Sequence, residues 1–346
     1  MSDVRKTMRF FILDPLRLLA AFAVLLYHYS IYFEASDISL IAISRYGYLG
    51  VDFFFLLSGF VIMASAQNRS AFEFAFARGL RIYPAFIICL LLTVFISYLI
   101  SGTSIPLKNA IANATIFNDY LGIPNVDGVY WTLQAEIKFY GCIFILLLTG
   151  LFVYHRYWIG LWLLIAIIHY FYKQPFFMGW FINPSYSFYF IAGVSAYLLS
   201  KNKRDLNAQC CFWISSTFCV LISGEQATGF LSNPSPATVL NVRLLVAIFC
   251  VFFFVLALGL LNIKRVPGWW VYLGAISYPL YLLHNRAGKA LIDNFMGTID
   301  TYWLLLMVTL AIVLVALLIH CCVEKTTDKA GKQLLKRFLR KNKASY

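Results

Sequence analysis

The strongest constraint on this chain is its apolar runs. Ten of them, each bounded by charge or turn residues, fall at roughly 10–33, 47–66, 82–100, 130–150, 157–172, 183–200, 210–223, 242–262, 270–291 and 302–323. A helix needs about 20 apolar residues to cross a hydrocarbon core of ~30 Å, and most of these runs approach that length. The expectation is an all-α, polytopic membrane helix bundle of about ten transmembrane helices. A β-barrel would instead show short alternating strands. A soluble enzyme is excluded, because 61% of the 346 residues are hydrophobic, only 12% are charged, and the mean hydropathy is +0.77. A soluble domain carries roughly twice that charged fraction.

The net charge of +13 raises the question of nucleic acid, and the placement of the cations answers it. With the N-terminus inside, the inner segments hold twenty of the 28 Lys and Arg residues. They are Arg5, Lys6 and Arg9; Arg69, Arg78 and Arg81; Arg156; Lys201, Lys203 and Arg204; Lys264 and Arg265; and eight from Lys325 to Lys343. The outer segments hold six: Arg45, Lys108, Lys173, Arg243, Arg286 and Lys289. Arg17 and Lys138 lie within spans. By the positive-inside rule both termini are cytoplasmic, and the basic excess is a topology signal with no nucleic-acid partner implied. The first span is too long for a signal-peptide core and carries Asp14, Arg17 and His28, so it reads as a retained helix. The chain divides into an integral-membrane domain over 1–323 and a basic cytoplasmic tail over 324–346. In that tail Leu334, Leu335, Phe338 and Leu339 recur at helical spacing, which suits a helix lying on the lipids of an anionic inner leaflet. The connection over 101–129 is a candidate lid over an external opening.

All eight cysteines sit in or beside apolar spans, with no outer-loop pair to suggest a disulfide framework. Cys210-Cys211 and Cys321-Cys322 lack zinc-ligand spacing, so no metal site is expected.

Ionisable side chains inside a span are costly and face an interior, so they mark function. In LDPLRLLAAFAVLLYH, Arg17 and His28 are eleven residues apart, within about 20° of one helical face and about 16 Å apart along the axis. Asp14, three residues before Arg17, is placed to pair with it. His28 falls about 27 Å from the inner start of its span, near the outer boundary. Glu136 in YWTLQAEIKFY lies about 9 Å below the outer start of the fourth span. His284 in SYPLYLLHN also lies in an outer half, so three titratable groups are expected at one depth. Ser277, Tyr281 and His284 form one helical stripe, and Glu136 and Tyr140 another. Lys138 projects about 200° from Glu136 and is expected to snorkel away. His155, His169 and His320 lie near boundaries, where interfacial exposure accounts for them. A carboxylate beside a histidine is the usual general-base pairing. On the inner side, Arg78 and Arg81 in NRSAFEFAFARGLRIYP share a helical face and suit a phosphate-rich ligand, although a topology role fits that pair equally well.

In the order LDPLRLLAAFAVLLYH, GVDFFFLLSGFVI, ARGLRIYPAF, VYWTLQAEIKFY and SYPLYLLH, these blocks resemble the acyltransferase-3 family of integral-membrane, acyl-CoA-dependent O-acyltransferases that modify cell-surface and lipid-linked glycans. The resemblance implies that Arg17 and His28 are the family's essential pair, that Arg78 and Arg81 match its cytoplasmic arginine motif, and that Glu136 matches its WxLxxE block. Pro15 stands where the family often has glycine, and VEKTTDK lacks the proline common after that glutamate, so no role is carried over to Glu324. The implied enzyme is a multi-pass acyltransferase of the cytoplasmic (inner) membrane with no bound cofactor. Acyl-CoA, most often acetyl-CoA in the family, is its donor substrate, and a carbohydrate hydroxyl is its acceptor. The expected scheme has Arg78 and Arg81 docking the donor's phosphates and Arg17 lining the channel. His28 is the general base, Glu136 orients it, and His284, Asn285, Tyr140 and the Trp131 indole are candidate oxyanion donors. Asp14 and Tyr281 join them as lining residues. Two other classes remain open: a transporter or flippase that uses Asp14, Arg17, His28 and Glu136 as a proton or substrate path, and a non-catalytic scaffold.

Overall fold

The computed structural model describes residues 11–173, 178–261 and 266–344. The expected inner cations Arg5, Lys6, Arg9, Lys264 and Arg265 lie outside the described residues, as do the side chains from 336 onward, including Phe338 and Leu339. Among the described residues there are fifteen α-helices and no strand. They are α1 (Leu13–Tyr29), α2 (Ile38–Ser44), α3 (Gly50–Ala66), α4 (Ala71–Ser101), α5 (Leu107–Ala114), α6 (Tyr130–Leu148), α7 (His155–Tyr172) and α8 (Met178–Phe181), followed by α9 (Ser187–Lys201), α10 (Leu206–Phe230), α11 (Pro236–Ala257), α12 (Trp270–Leu283), α13 (Arg286–Phe295), α14 (Thr301–Ile319) and α15 (Lys325–Ala344).

Eight helices among the described residues are long and apolar enough to cross a membrane. The other two expected spans are the shorter α9 and α12, of 15 and 14 residues. In α9 every residue from Ser187 to Leu199 is buried, between α3, α7, α10 and α11. A helix that is apolar all round belongs in the centre of a bundle. Its contact with α3 is the most extensive in the molecule and runs through two glycines. A Cβ on Gly193 would lie 2.0 Å from the Leu56 carbonyl oxygen, and one on Gly59 would lie 2.2 Å from that of Phe190. Close backbone approach of this kind replaces the hydrophobic drive that lipid does not supply between helices.

Two segments differ from expectation. The helix of the third span, expected from about residue 82, begins at Ala71, so the residues before it are the opening turns of α4. Ser70 Oγ accepts from the Glu73 N–H (3.2 Å) while the Glu73 carboxylate accepts from the Ser70 N–H (2.9 Å), a reciprocal cap that starts the helix early. Arg78 and Arg81 therefore ride on a 31-residue helix, about 46 Å long. The ninth span is broken. α12 ends at Leu283 and α13 begins at Arg286, because Asp127 from the 101–129 connection intercepts the turn between them. Its carboxylate accepts from the Arg286 N–H (2.7 Å), Asn285 Nδ2 (2.6 Å) and the Val129 N–H (3.1 Å). Burial pushes the Asp127 carboxyl up, against the pull of these donors. The same connection contains α5 and is pinned by Asn113, which donates to the Asn109 and Pro124 carbonyls and accepts from the Val126 N–H. The expected lid is thus a fastened cap.

Candidate functional site

α1, α3, α4, α6 and α12 enclose a cavity of about 660 Å³, and the first half of α15 closes its side. At its basic mouth stand Arg69, Arg78, Arg81 and Lys332, with Glu73 and Asp328. Asp14, Arg17, Ser58, Glu136 and Tyr140 line the middle. The far end closes at Thr132 and Tyr281, whose hydroxyls bond at 3.0 Å.

The sequence-level prediction of an Asp14–Arg17 pair corresponds to an ion pair of 3.1 Å. Asp14 is buried against α12 at Gly274, where a Cβ would fall 2.5 Å from its Oδ1. The small residue lets the carboxylate sit between two helices and present Arg17 to the cavity. Arg78 donates to Ser65 Oγ (2.7 Å), and its guanidinium lies 6.0 Å from the Tyr140 ring centroid. Arg81 pairs with Glu324 at 3.6 Å. Lys138 turns away from the cavity, as expected, and donates to Asp119 (2.7 Å) and the Gly179 carbonyl (3.2 Å).

Glu136 is not where the general-base pairing needs it. Its Oε1 accepts from Ser58 Oγ (2.7 Å) and from the Tyr140 hydroxyl, and none of its hydrogen bonds reaches His28. Helical depth alone was a poor guide, because equal depth does not bring side chains on different faces together. The partner of His28 is His284, at a ring-centroid distance of 5.1 Å. His284 is fully buried, and its Nδ1 lies 2.7 Å from the Tyr281 carbonyl oxygen. A carbonyl only accepts, so Nδ1 carries the proton and Nε2 is the acceptor of the neutral ring. That Nε2 is buried with no hydrogen-bond partner. His28, half-buried, lies eleven residues beyond Arg17 on α1, and His284 caps the C-terminus of α12 one turn beyond Tyr281. The histidine pair therefore sits just past the closed end of the cavity.

Of the other expected lining residues, Tyr140 and Tyr281 face the cavity. Trp131 does not, because it packs against the rings of Phe55 and Tyr186. Asn285 faces a separate cleft at the opposite end and donates to Asp127. The tail departs from a purely surface-lying helix at its start. Asp328, Gly331, Lys332 and Leu335 wall the cavity, with Gly331 seated against Leu80.

Three residues escaped sequence reasoning. His320, expected to be exposed at a boundary, is buried and bonds Glu324 at 2.7 Å. Glu324 is itself buried and shared with Arg81, on a single π-helical turn over His320–Glu324 that joins α14 to α15. The i, i+4 spacing of these two residues was the available signal. Asp52 is buried within α3, where the Tyr189 hydroxyl donates to it at 3.1 Å. As an aspartate inside an apolar run it met the same criterion as Asp14.

These features define a multi-helix membrane protein with a largely apolar internal cavity that carries a few charged and hydroxyl side chains and is cationic at one mouth. Residues 10–323 match the acyltransferase domain of the acyltransferase-3 family, nearly the whole chain, and the protein belongs to that family. No curated protein and no solved structure matched the chain.

Proposed function

We propose that this membrane acyltransferase carries an acyl group, most often acetyl, from cytoplasmic acyl-CoA to a hydroxyl of a cell-surface or lipid-linked carbohydrate, in the inner membrane with both termini cytoplasmic. The observation that carries this reading is the course of the cavity, from four cationic side chains at its mouth to Tyr281, one helical turn from the His284–His28 pair. A volume near 660 Å³ lies within the ~300–1,000 Å³ of small-molecule sites. Arg78 and Arg81, with Arg69 and Lys332 beside them, bind the donor's phosphates at the mouth. Arg17, held by Asp14, lines the path of the pantetheine arm, and the thioester arrives beside Thr132 and Tyr281.

Beyond the Thr132–Tyr281 closure, which opens for the transfer, His28 is the general base. Its free ring nitrogen takes the proton of the sugar hydroxyl as that oxygen attacks the thioester carbonyl. The tetrahedral intermediate collapses, the C–S bond breaks, and the proton on His28 passes to the departing CoA thiolate. His284 takes the orienting role first assigned to Glu136. With Nδ1–H committed to the Tyr281 carbonyl, its Nε2 can accept from the other N–H of His28 and so set which His28 nitrogen is basic. Glu136, bonded by Ser58 and Tyr140, instead balances Arg17 within the cavity. The Thr132 and Tyr281 hydroxyls are the donors nearest the expected position of the oxyanion.

The test uses purified protein in lipid nanodiscs with labelled acetyl-CoA and a glycan acceptor. His28→Ala is expected to abolish transfer and to leave acyl-CoA affinity within a few-fold, because His28 does not line the cavity. Normal transfer by that variant would sink the assignment.

A further inference from the structure

At the end of the bundle opposite the cationic mouth, the 101–129 connection and α13 enclose a second cleft of about 370 Å³. Its walls are mostly hydroxyl, amide and charged groups, with Ser97, Ser101, Thr103, Asn125 and Asn285 among them. Several of these walls are held rigidly. Arg286 Nε donates to Ser97 Oγ (3.1 Å), its Nη1 donates to the Val126 carbonyl (2.9 Å), and Asn285 is fixed by Asp127.

The cleft's charges are unevenly satisfied. Asp293 accepts from the Tyr32 hydroxyl at 2.6 Å. Arg286 is bonded through its side chain to neutral groups only, and the Lys289 side chain, half-buried, makes no direct hydrogen bond or ion pair with any described residue, Asp127 and Asp293 acting on it only through space. A partly buried ammonium with carboxylates near it but none in contact keeps its hydrogen-bond donors free for an anionic ligand. The cleft's lining is joined to the histidine pair through the chain. Asn285 directly follows His284, and Gly288 faces Tyr29, the neighbour of His28. The Tyr29 hydroxyl, 2.2 Å from where a Gly288 Cβ would stand, is buried with no hydrogen-bond partner.

We infer that this cleft is the acceptor subsite and that it takes a sugar bearing an acid group, with Lys289 and Arg286 holding the acid and the hydroxyl and amide side chains holding the ring hydroxyls. The word acceptor rests on the proposed acyl transfer; the binding of an acidic sugar does not. Vicinal hydroxyls need a wall of mixed donors and acceptors at fixed positions, which Ser97, Ser101, Thr103, Asn125 and Asn285 provide. A carboxylate or phosphate needs cationic donors that no protein carboxylate touches directly, and the Arg286 guanidinium and the Lys289 ammonium meet that condition.

The experiment measures binding, with no donor present, to purified protein in nanodiscs of zwitterionic lipid. The probes are a neutral oligosaccharide, a uronate-bearing oligosaccharide of the same length, a sugar phosphate, and glycerol phosphate as a lipid-headgroup mimic. The acid-bearing sugars are expected to bind about tenfold more tightly than the neutral one. Lys289→Gln removes that preference and Lys289→Glu reverses it, while both leave the neutral sugar within twofold and acyl-CoA binding unchanged. Equal affinity for neutral and acidic sugars overturns the proposal, as does a preference that survives Lys289→Gln. Glycerol phosphate binding as tightly as the acidic sugars overturns it in favour of a lipid headgroup. Because the donor is absent, loss of acidic-sugar binding and loss of the His28 role are separate results.

Discussion

Gly193→Ala tests whether the site depends on the closest helix crossing in the bundle. The new Cβ would stand 2.0 Å from the Leu56 carbonyl oxygen and 2.8 Å from the Phe60 nitrogen, both backbone atoms that no rotamer change can move. A carbon–oxygen contact normally settles near 3.3 Å, so α3 and α9 must part by about 1.3 Å. A gap of about 0.5–1 Å already forfeits a quarter to a half of each dispersion contact, and one of about 1.3 Å forfeits more, across the most extensive helix pair among the described residues. Overpacking of this kind costs about 1–3 kcal/mol, and rigid atoms on both sides put this case at about 3 kcal/mol. The effect reaches the cavity as well. Ser58, adjacent to Gly59, donates to Glu136 at 2.7 Å, and a shift of α3 by about 1 Å takes that bond out of range. The assay pairs a thermal melt in detergent with acyl transfer, and uses Ser195→Ala on the same helix as control. The Ser195 hydroxyl is buried with no partner, so its removal should leave the melt at or above that of the parent. Gly193→Ala should melt several degrees lower and lose activity. If it melts like Ser195→Ala, the argument from close approach is wrong.

Glu324→Ala should destabilise by about 2–3 kcal/mol, mostly through the buried His320 bond, since the Arg81 pair is partly exposed and screened. Glu324→Gln, which keeps an acceptor, should recover most of that loss in a detergent melt, and no difference between the two variants would count against a bonded role. Asp127→Ala strands the Asn285 amide and the Arg286 N–H, so a loss of about 1–3 kcal/mol is expected, with faster hydrogen exchange at the start of α13. Unchanged exchange there would mean that Asp127 is not what breaks the ninth span.

The Asp14–Arg17 pair was legible in sequence because it is local. Three residues on a helix bring two side chains together whatever surrounds them, and the observed 3.1 Å contact needed no tertiary information. The same holds for the shared face of Arg78 and Arg81 and for the outward turn of Lys138. Glu136 illustrates the opposite case. Its distance below the membrane surface follows from helical rise, but its azimuth relative to His28 depends on how α6 rotates against α1 and α3, and no spacing encodes that rotation. The pairing with Ser58 and Tyr140 therefore came from packing, and His28 found His284 instead.

By itself, the sequence determined that this chain is a helical membrane bundle, since apolar runs in a scarcely charged chain leave the backbone no other way to satisfy its hydrogen bonds in lipid. It also determined which few charges had to be explained, because each costs too much to bury idly. Only the tertiary structure decided which of those charges meet. The break at Asn285, the sharing of Glu324 between His320 and Arg81, and the burial of α9 each depend on residues distant in the chain, whose mutual approach is set by side-chain volume at helix crossings rather than by periodicity along any one helix.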